Sequence, residues 1–316
     1  ALSTNTDIYQ YDIETKQTIN LTEGKMGYDT APSFSSQGDF AFLSMEHDGY
    51  EADKNDLIVR RGNIELNITK QWDGTVQEYK WSNDGKKIYF NAAVGGTIQL
   101  FEVEVNFKTK KIPTVKQLTQ GDFDIASLND IVGDKAVVTK TDINHAAEIF
   151  VVDLKSGKLA QLTNENQDIF GNISLSDVKA RKIKTTDGKE MHAWVIYPPD
   201  FDPTKKYPTI LYCQGGPQSA LTQFYSPRWN FQLMAAQGYI VIAPNRRGMP
   251  GHGVEWNEQI SKDWGGQVMD DYLAAIDDIS KESYVDKDRR AAVGASYGGY
   301  SVYYLAGIHE GRFKSF

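Results

Sequence analysis

Cys213 is the only cysteine among 316 residues, which excludes an internal disulfide and a cysteine-based metal centre. No apolar run approaches the ~18 residues a membrane-crossing helix needs. No basic tract is present. The 34 basic residues against 42 acidic ones leave a net charge of −8, which argues against a nucleic-acid or anionic-membrane surface. The H-E-x-x-H, phosphate-loop and dinucleotide patterns are absent, so no metal and no cofactor is expected. The first residues, Ala1-Leu2-Ser3-Thr4-Asn5, carry neither a charged nor an apolar leader pattern, as in a cytoplasmic protein, a processed exported one or a shortened chain. What is present is ordinary for a globular chain: 40% hydrophobic and 24% charged residues, at a length that suggests two domains.

The two parts read differently. Residues 1–176 alternate short apolar and aromatic stretches with Asn, Asp and Gly turns, as in Asp7–Asp12 and Lys87–Phe90, a strand pattern of period two. A Leu/Ile-Thr pair recurs at 21–22, 68–69, 118–119 and 162–163, at intervals of 47, 50 and 44 residues. Phe34-Ser35-Ser36-Gln37-Gly38 matches Trp81-Ser82-Asn83-Asp84-Gly85, with a degenerate third copy around Gly133-Asp134. A strand-built period in the mid-forties predicts propeller blades. Residues 1–176 supply about three blades and part of another, fewer than the ~4–8 that close a propeller. The remaining blades are therefore expected outside these residues. The alternative is a short open stack of sheets.

From residue 177 onward strand-like and helix-like runs alternate, predicting a mainly parallel, doubly wound sheet covered by helices. Strands are predicted at 180–184, 191–197, 208–213, 239–243 and 290–293. Helices are predicted at 229–236, at 267–280 and after residue 296. Asp270-Asp271 and Asp277-Asp278 read as solvated helix residues. Asn20, Asn67 and Asn172 open N-x-S/T triplets that read as chance.

Gly294-Ala295-Ser296-Tyr297-Gly298 fits G-x-S-x-G. Bare, the pattern is weak. Its place between a short apolar strand and a helix suits a nucleophile elbow, where a strained serine points out at the sheet edge and the helix N-terminus faces the developing oxyanion. Gln214-Gly215-Gly216-Pro217 ends an earlier strand, where a backbone N–H can complete an oxyanion hole. Arg246-Arg247 at another strand end suits either an internal salt bridge or a substrate carbonyl. A serine nucleophile also needs a base and an orienting acid, which in this fold follow the serine as Asp/Glu and then His. Only His309 and Glu310 follow Ser296, in reverse order and at the far end of the predicted helix. His252 precedes it; His47, His145 and His192 read as surface or packing residues. The Asp and His are thus expected beyond Phe316, and these residues alone are expected to be inactive.

A propeller followed by an α/β-hydrolase domain resembles the prolyl oligopeptidase family of serine peptidases. The resemblance rests on Gln214–Ser219, Asn245-Arg246-Arg247-Gly248 with Gly251-His252-Gly253, Asp263-Trp264-Gly265-Gly266 and Gly294–Tyr300, in that order across residues 177–316. The blade repeats match upstream. The details of Gly215-Gly216-Pro217-Gln218-Ser219 and of Tyr284–Arg289 look most like bacterial dipeptidyl-peptidase V and acylaminoacyl-peptidase members. The resemblance implies that Ser296 is acylated and that the N–H groups of Tyr297 and Gly216 hold the oxyanion; Gln214 and Arg246 are further candidates for substrate binding. Gln214 departs from the His or Tyr often found before the glycines. The implied function is release of dipeptides or acylated residues from short peptides, without cofactor, metal, nucleic acid or membrane. The implied compartment is the periplasm, with the cytoplasm as alternative. A homodimer of the whole protein is the candidate assembly. The rival functions are an esterase with the same elbow and a non-catalytic propeller binding protein.

Overall fold

The computed structural model describes residues 5–49, 51–109 and 111–316. Residues 1–4, on which the reading of a leader falls, lie outside them. Among the described residues no helix is long and apolar enough to cross a membrane.

The first part is antiparallel sheet. Strands β1 (Tyr9–Tyr11) and β2 (Thr18–Asn20) form a two-stranded ribbon. Strands β3 (Asp29–Phe34), β4 (Phe40–Ser44), β5 (Asp56–Arg61) and β6 (Ile64–Asn67) pair in sequence order. So do β7 (Glu78–Trp81), β8 (Lys87–Val94), β9 (Thr97–Glu104) and β10 (Lys116–Gln117), and then β11 (Asp124–Val132), β12 (Lys135–Asp142), β13 (His145–Asp153) and β14 (Leu159–Gln161). The last two groups are joined by one parallel contact, Asp124 beside Ile98. The sheets form open paths and no barrel among the described residues.

The repeated threonines explain the period. Each hydroxyl accepts an N–H in or next to a strand: Thr22 from Ile8 at 3.0 Å, and Thr69 from Leu57, Thr119 from Leu100 and Thr163 from Ile149 at 2.9 Å each. Each also donates to the side chain one residue before that residue, namely Asp7, Asp56, Gln99 and Glu148. One hydroxyl thus satisfies a backbone donor and an acceptor side chain, a local bond that closes the outer edge of each sheet group. Asn20 and Asn67 belong to the same device. Their side-chain oxygens accept from Thr22 and Thr69 N–H, and their amides donate to Asp7 and Asp56. The matched turns touch one another: Ser36 Oγ donates to the Asn83 carbonyl at 2.8 Å, 47 residues on.

Helix α1 (Gln167–Phe170) leads into the second part. Its strands are β15 (Val178–Lys184), β16 (Glu190–Ile196), β17 (Tyr207–Cys213), β18 (Ile240–Pro244) and β19 (Val285–Gly294), in the order β15-β16-β18-β17-β19. The pairs β17–β18 and β17–β19 are parallel, while β15–β16 and β16–β18 are antiparallel. The described sheet is therefore mixed, with its parallel strands at the β19 side. Helices α2 (Phe231–Ala236), α3 (Val254–Glu258), α4 (Gln267–Ile279) and α5 (Tyr297–Ile308) connect or follow them. Helix α2 starts two residues later than predicted because Asn230 caps it, accepting the Leu233 N–H at 3.1 Å. Strand β19 starts earlier than predicted because Val285 already pairs with Tyr207, before an irregularity that Arg289–Asp286 closes on itself. Ser315 bridges Ala291 in parallel.

Apolar faces of this sheet and of helices α4 and α5 share one core containing Leu211, Ile242, Val268, Tyr272, Ile276 and Leu305, each aliphatic burial favouring folding by about 1.5–3 kcal/mol. Asp271 corrects the reading of solvated acids. It is fully buried and accepts the Arg247 N–H at 3.0 Å, and burial pushes its carboxyl up to about 6. The two parts meet through Trp194 Nε1 donating to the Gly96 carbonyl, Gly95 N–H to the Gly251 carbonyl, and the Asn257 amide to the Ala52 carbonyl.

Candidate active site

Ser296 stands between β19 and α5 with φ 57° and ψ −127°. A non-glycine residue at positive φ is strained and persists only where its surroundings enforce it. Here the close approach of three segments enforces it. A Cβ on Gly294 would lie 2.6 Å from the Cys213 carbonyl oxygen, and one on Gly298 2.0 Å from the same atom. The serine side chain makes no hydrogen bond among the described residues. The N-terminus of α5, a 12-residue helix, opens directly behind it and offers unpaired N–H groups and a positive dipole end.

The loop after β17 lies against this elbow. A Cβ on Gly215 would come 3.1 Å from the Ala295 oxygen and 3.5 Å from Ser296 Cβ, so the backbone passes beside the serine. Gly216 has φ 122°, and a Cβ there would stand 2.7 Å from the Gln218 nitrogen. The Gln214 amide donates to Ser219 Oγ at 3.3 Å within the same loop. Ser296, Tyr297, Gly216 and Gln214 are therefore brought to one place.

Arg246 is not at the surface of that place, which corrects the expectation that it meets substrate directly. It is fully buried. Its guanidinium donates to the Pro217 and Arg247 carbonyls at 2.8 Å, the Tyr272 hydroxyl at 3.1 Å and the Gln214 carbonyl at 3.3 Å. The Tyr297 ring stacks on it at 4.7 Å and also meets the Trp264 ring edge-on at 5.2 Å. The Tyr297 hydroxyl donates to the Trp264 carbonyl at 2.8 Å, and burial pushes its pKa up to about 12. Arg247 is the salt-bridged member of the pair, 2.6 Å from Asp187 and 3.8 Å from Asp271.

None of the five histidines hydrogen-bonds to Ser296. His309 accepts the Phe313 N–H and packs on the Phe313 and Phe316 rings. His252 and His192 stack on each other at the junction of the two parts, where burial lowers both to about 4. His145 lies 2.8 Å from Asp142 and His47 3.1 Å from Asp53. Among the described residues no metal-holding cluster exists.

Two supports of the loop escaped sequence reasoning. Asn245 grips Leu221 by both backbone groups, at 2.9 and 2.8 Å. Buried Asp124 in the antiparallel part accepts the Thr222 hydroxyl at 2.5 Å, the Gln223 N–H at 3.1 Å and the Ile98 N–H at 2.8 Å. Asn245 carried a signal in its place at a strand end beside Arg246. Asp124 carried none, since its partners in the loop lie 98 and 99 residues away.

Residues 225–316, the elbow included, match the model of the prolyl oligopeptidase family. The whole chain is 47% identical over 319 residues to dipeptidyl-peptidase 5 of Porphyromonas gingivalis. The chain is thus similar to the prolyl oligopeptidase family, most directly over residues 225–316. It covers 46% of that relative, so it spans less than half the length of the curated proteins it matches. The fission-yeast (Schizosaccharomyces pombe) dipeptidyl-peptidase 5 is 28% identical, matching 99% of this chain and 45% of its own length. In fold, the chain is similar to an acylaminoacyl peptidase of Pyrococcus horikoshii, with a TM-score of 0.82 at 22% identity over 98% of this chain and 46% of that one. The likeness in fold therefore extends over both parts of this chain, the antiparallel sheets and the elbow-bearing sheet.

Proposed function

We propose that the whole protein is a serine exopeptidase that releases dipeptides from the ends of short peptides, with Ser296 as the acylated nucleophile. The observation that carries this is the strained, unpartnered Ser296 set beside the Gly215-Gly216 backbone and at the head of α5. In the acylation step Ser296 Oγ adds to the peptide carbonyl. The developing oxyanion is held by the N–H groups of Tyr297 and Gly216, and the bond to the leaving amine then breaks. Water attacks the ester in the second step and frees the serine. The 47% identity to a protein named dipeptidyl-peptidase 5 favours dipeptide release over removal of acylated residues. The four-stranded antiparallel groups are blades of a propeller that limits access to short, extended peptides. We place the base and its acid outside these 316 residues, since no histidine among the described residues hydrogen-bonds to Ser296.

The test is the intact mass after treatment with a fluorophosphonate probe. The whole protein gains one adduct, which Ser296→Ala removes, and the 316-residue chain by itself gains none. An adduct that survives Ser296→Ala would sink the assignment. Turnover of aryl esters far above that of dipeptide anilides would move the function to an esterase.

A further inference from the structure

We propose that Arg246 is a positioning residue that aligns the two halves of the oxyanion hole. This rests on the acyl-enzyme reading above and extends it to a residue that cannot reach the substrate. The guanidinium is fully buried and has no carboxylate partner among the described residues, unlike its neighbour Arg247. A buried cation ordinarily finds a counter-ion, because leaving water is costly for an unpaired charge. Arg246 is held by oxygen dipoles instead: three backbone carbonyls and the Tyr272 hydroxyl.

The identity of those carbonyls gives the arrangement its meaning. Gln214 and Pro217 flank the Gly215-Gly216 pair, so one planar group pins both ends of the loop that passes beside Ser296. The same group lies under the Tyr297 ring at 4.7 Å, and Tyr297 is the residue whose N–H forms the other half of the hole. Gly215 and Gly216 have no side chain with which to hold themselves, and glycine backbone is the freest to move. The fixed fork of a guanidinium suits this task; an ammonium offers no planar, pre-set set of donors. The uncancelled positive charge also lies close to the site where negative charge develops, and little dielectric separates them.

The tests use the whole protein and three variants: Arg246→Lys, Arg246→Gln and Tyr272→Phe. The readouts are kcat and KM on a dipeptide anilide, affinity for a peptide boronic acid that forms a tetrahedral adduct on the serine, and affinity for the dipeptide product. Arg246→Lys should lower kcat about 10- to 100-fold, the scale expected from sub-ångström misplacement of catalytic groups. KM and product affinity should stay within about twofold, while boronate affinity falls in step with kcat. Tyr272→Phe, which frees only Nε, should show a smaller change of the same kind. If Arg246→Gln fails to fold, Arg246→Lys and Tyr272→Phe decide. Boronate and product affinities falling together, or a kcat at the wild-type value, would overturn the proposal. Wild-type protein that forms no boronate or fluorophosphonate adduct would remove the acyl-enzyme reading and this proposal with it. Normal wild-type labelling beside unchanged Arg246 variants overturns this proposal alone.

Discussion

Gly298 packs so tightly beneath Cys213 that a Cβ on it would stand 2.0 Å from the Cys213 carbonyl oxygen. The first turn of α5 and the end of β17 therefore touch backbone to backbone, and both ends of the candidate oxyanion hole depend on that contact. Gly298 does not have positive φ, so its requirement is space and not a special backbone angle. Gly298→Ala is expected to destabilise the fold by about 3 kcal/mol or more, because the clash is with main chain that cannot rotate away. Denaturant unfolding checks this. A variant of wild-type stability would show that the elbow can shift without cost.

Ser296 is the opposite case. Its φ of 57° is a cost borne by the native state. Ser296→Gly should abolish fluorophosphonate labelling and raise stability by about 1 kcal/mol, because glycine enters that region freely and the relief outweighs its greater unfolded-state entropy. Equilibrium unfolding of the two proteins is the measurement. A less stable variant would mean that the serine hydroxyl, and not the backbone, sets the local energy.

The threonine bonds differ in reach. Thr69 is fully buried and donates to Asp56 at 2.6 Å, whereas the Thr22–Asp7 contact is 3.5 Å. Thr69→Val keeps the shape and leaves the Leu57 N–H and an Asp56 oxygen without that partner. The expected loss is about 1–3 kcal/mol, with Thr22→Val costing less. Thermal unfolding of both variants ranks them, and the reverse order would refute the account.

Asp124 links stability to pH. Burial raises its carboxyl from the ordinary 3.8 to about 6, although three donors face it. A group whose pKa is raised on folding favours the fold when protonated. Its contribution is present below about 4 and is lost as pH rises through about 6. Asp124→Asn stays neutral and retains an oxygen for Ile98 and Gln223. Wild type should therefore lose stability relative to Asp124→Asn between pH 4 and 7, by on the order of 2–3 kcal/mol. The difference between the two proteins cancels the buried histidines, which act in the other direction. A pH-independent difference would place the carboxylate in contact with water or a bound cation.

Much of the candidate site was legible because its chemistry is local. A glycine-flanked serine between a strand and a helix, and a Gly-Gly-Pro turn after an apolar strand, are short patterns whose backbone demands are written in adjacent residues. The blade-like period was legible for the same reason, since each threonine bonds to a residue in or next to a strand 12 to 19 positions away. The buried role of Asp271 was not legible: helical spacing alone placed it on the polar side, and its burial is made tolerable by the Arg247 backbone N–H and guanidinium, 24 residues away, and by the Gln267 amide.

The amino-acid order by itself thus determined the two-part organisation, the strand and helix types, the elbow and the turn facing it, because hydrophobic period, glycine placement and turn chemistry act over a few residues. Only the tertiary structure decided that Arg246 lies beneath the loop with carbonyls for partners, that Asp124 reaches across to Thr222, and that no histidine here meets Ser296. Those facts depend on which distant segments pack together and exclude water, and the energy of a charge is set by that packing, not by its neighbours in sequence.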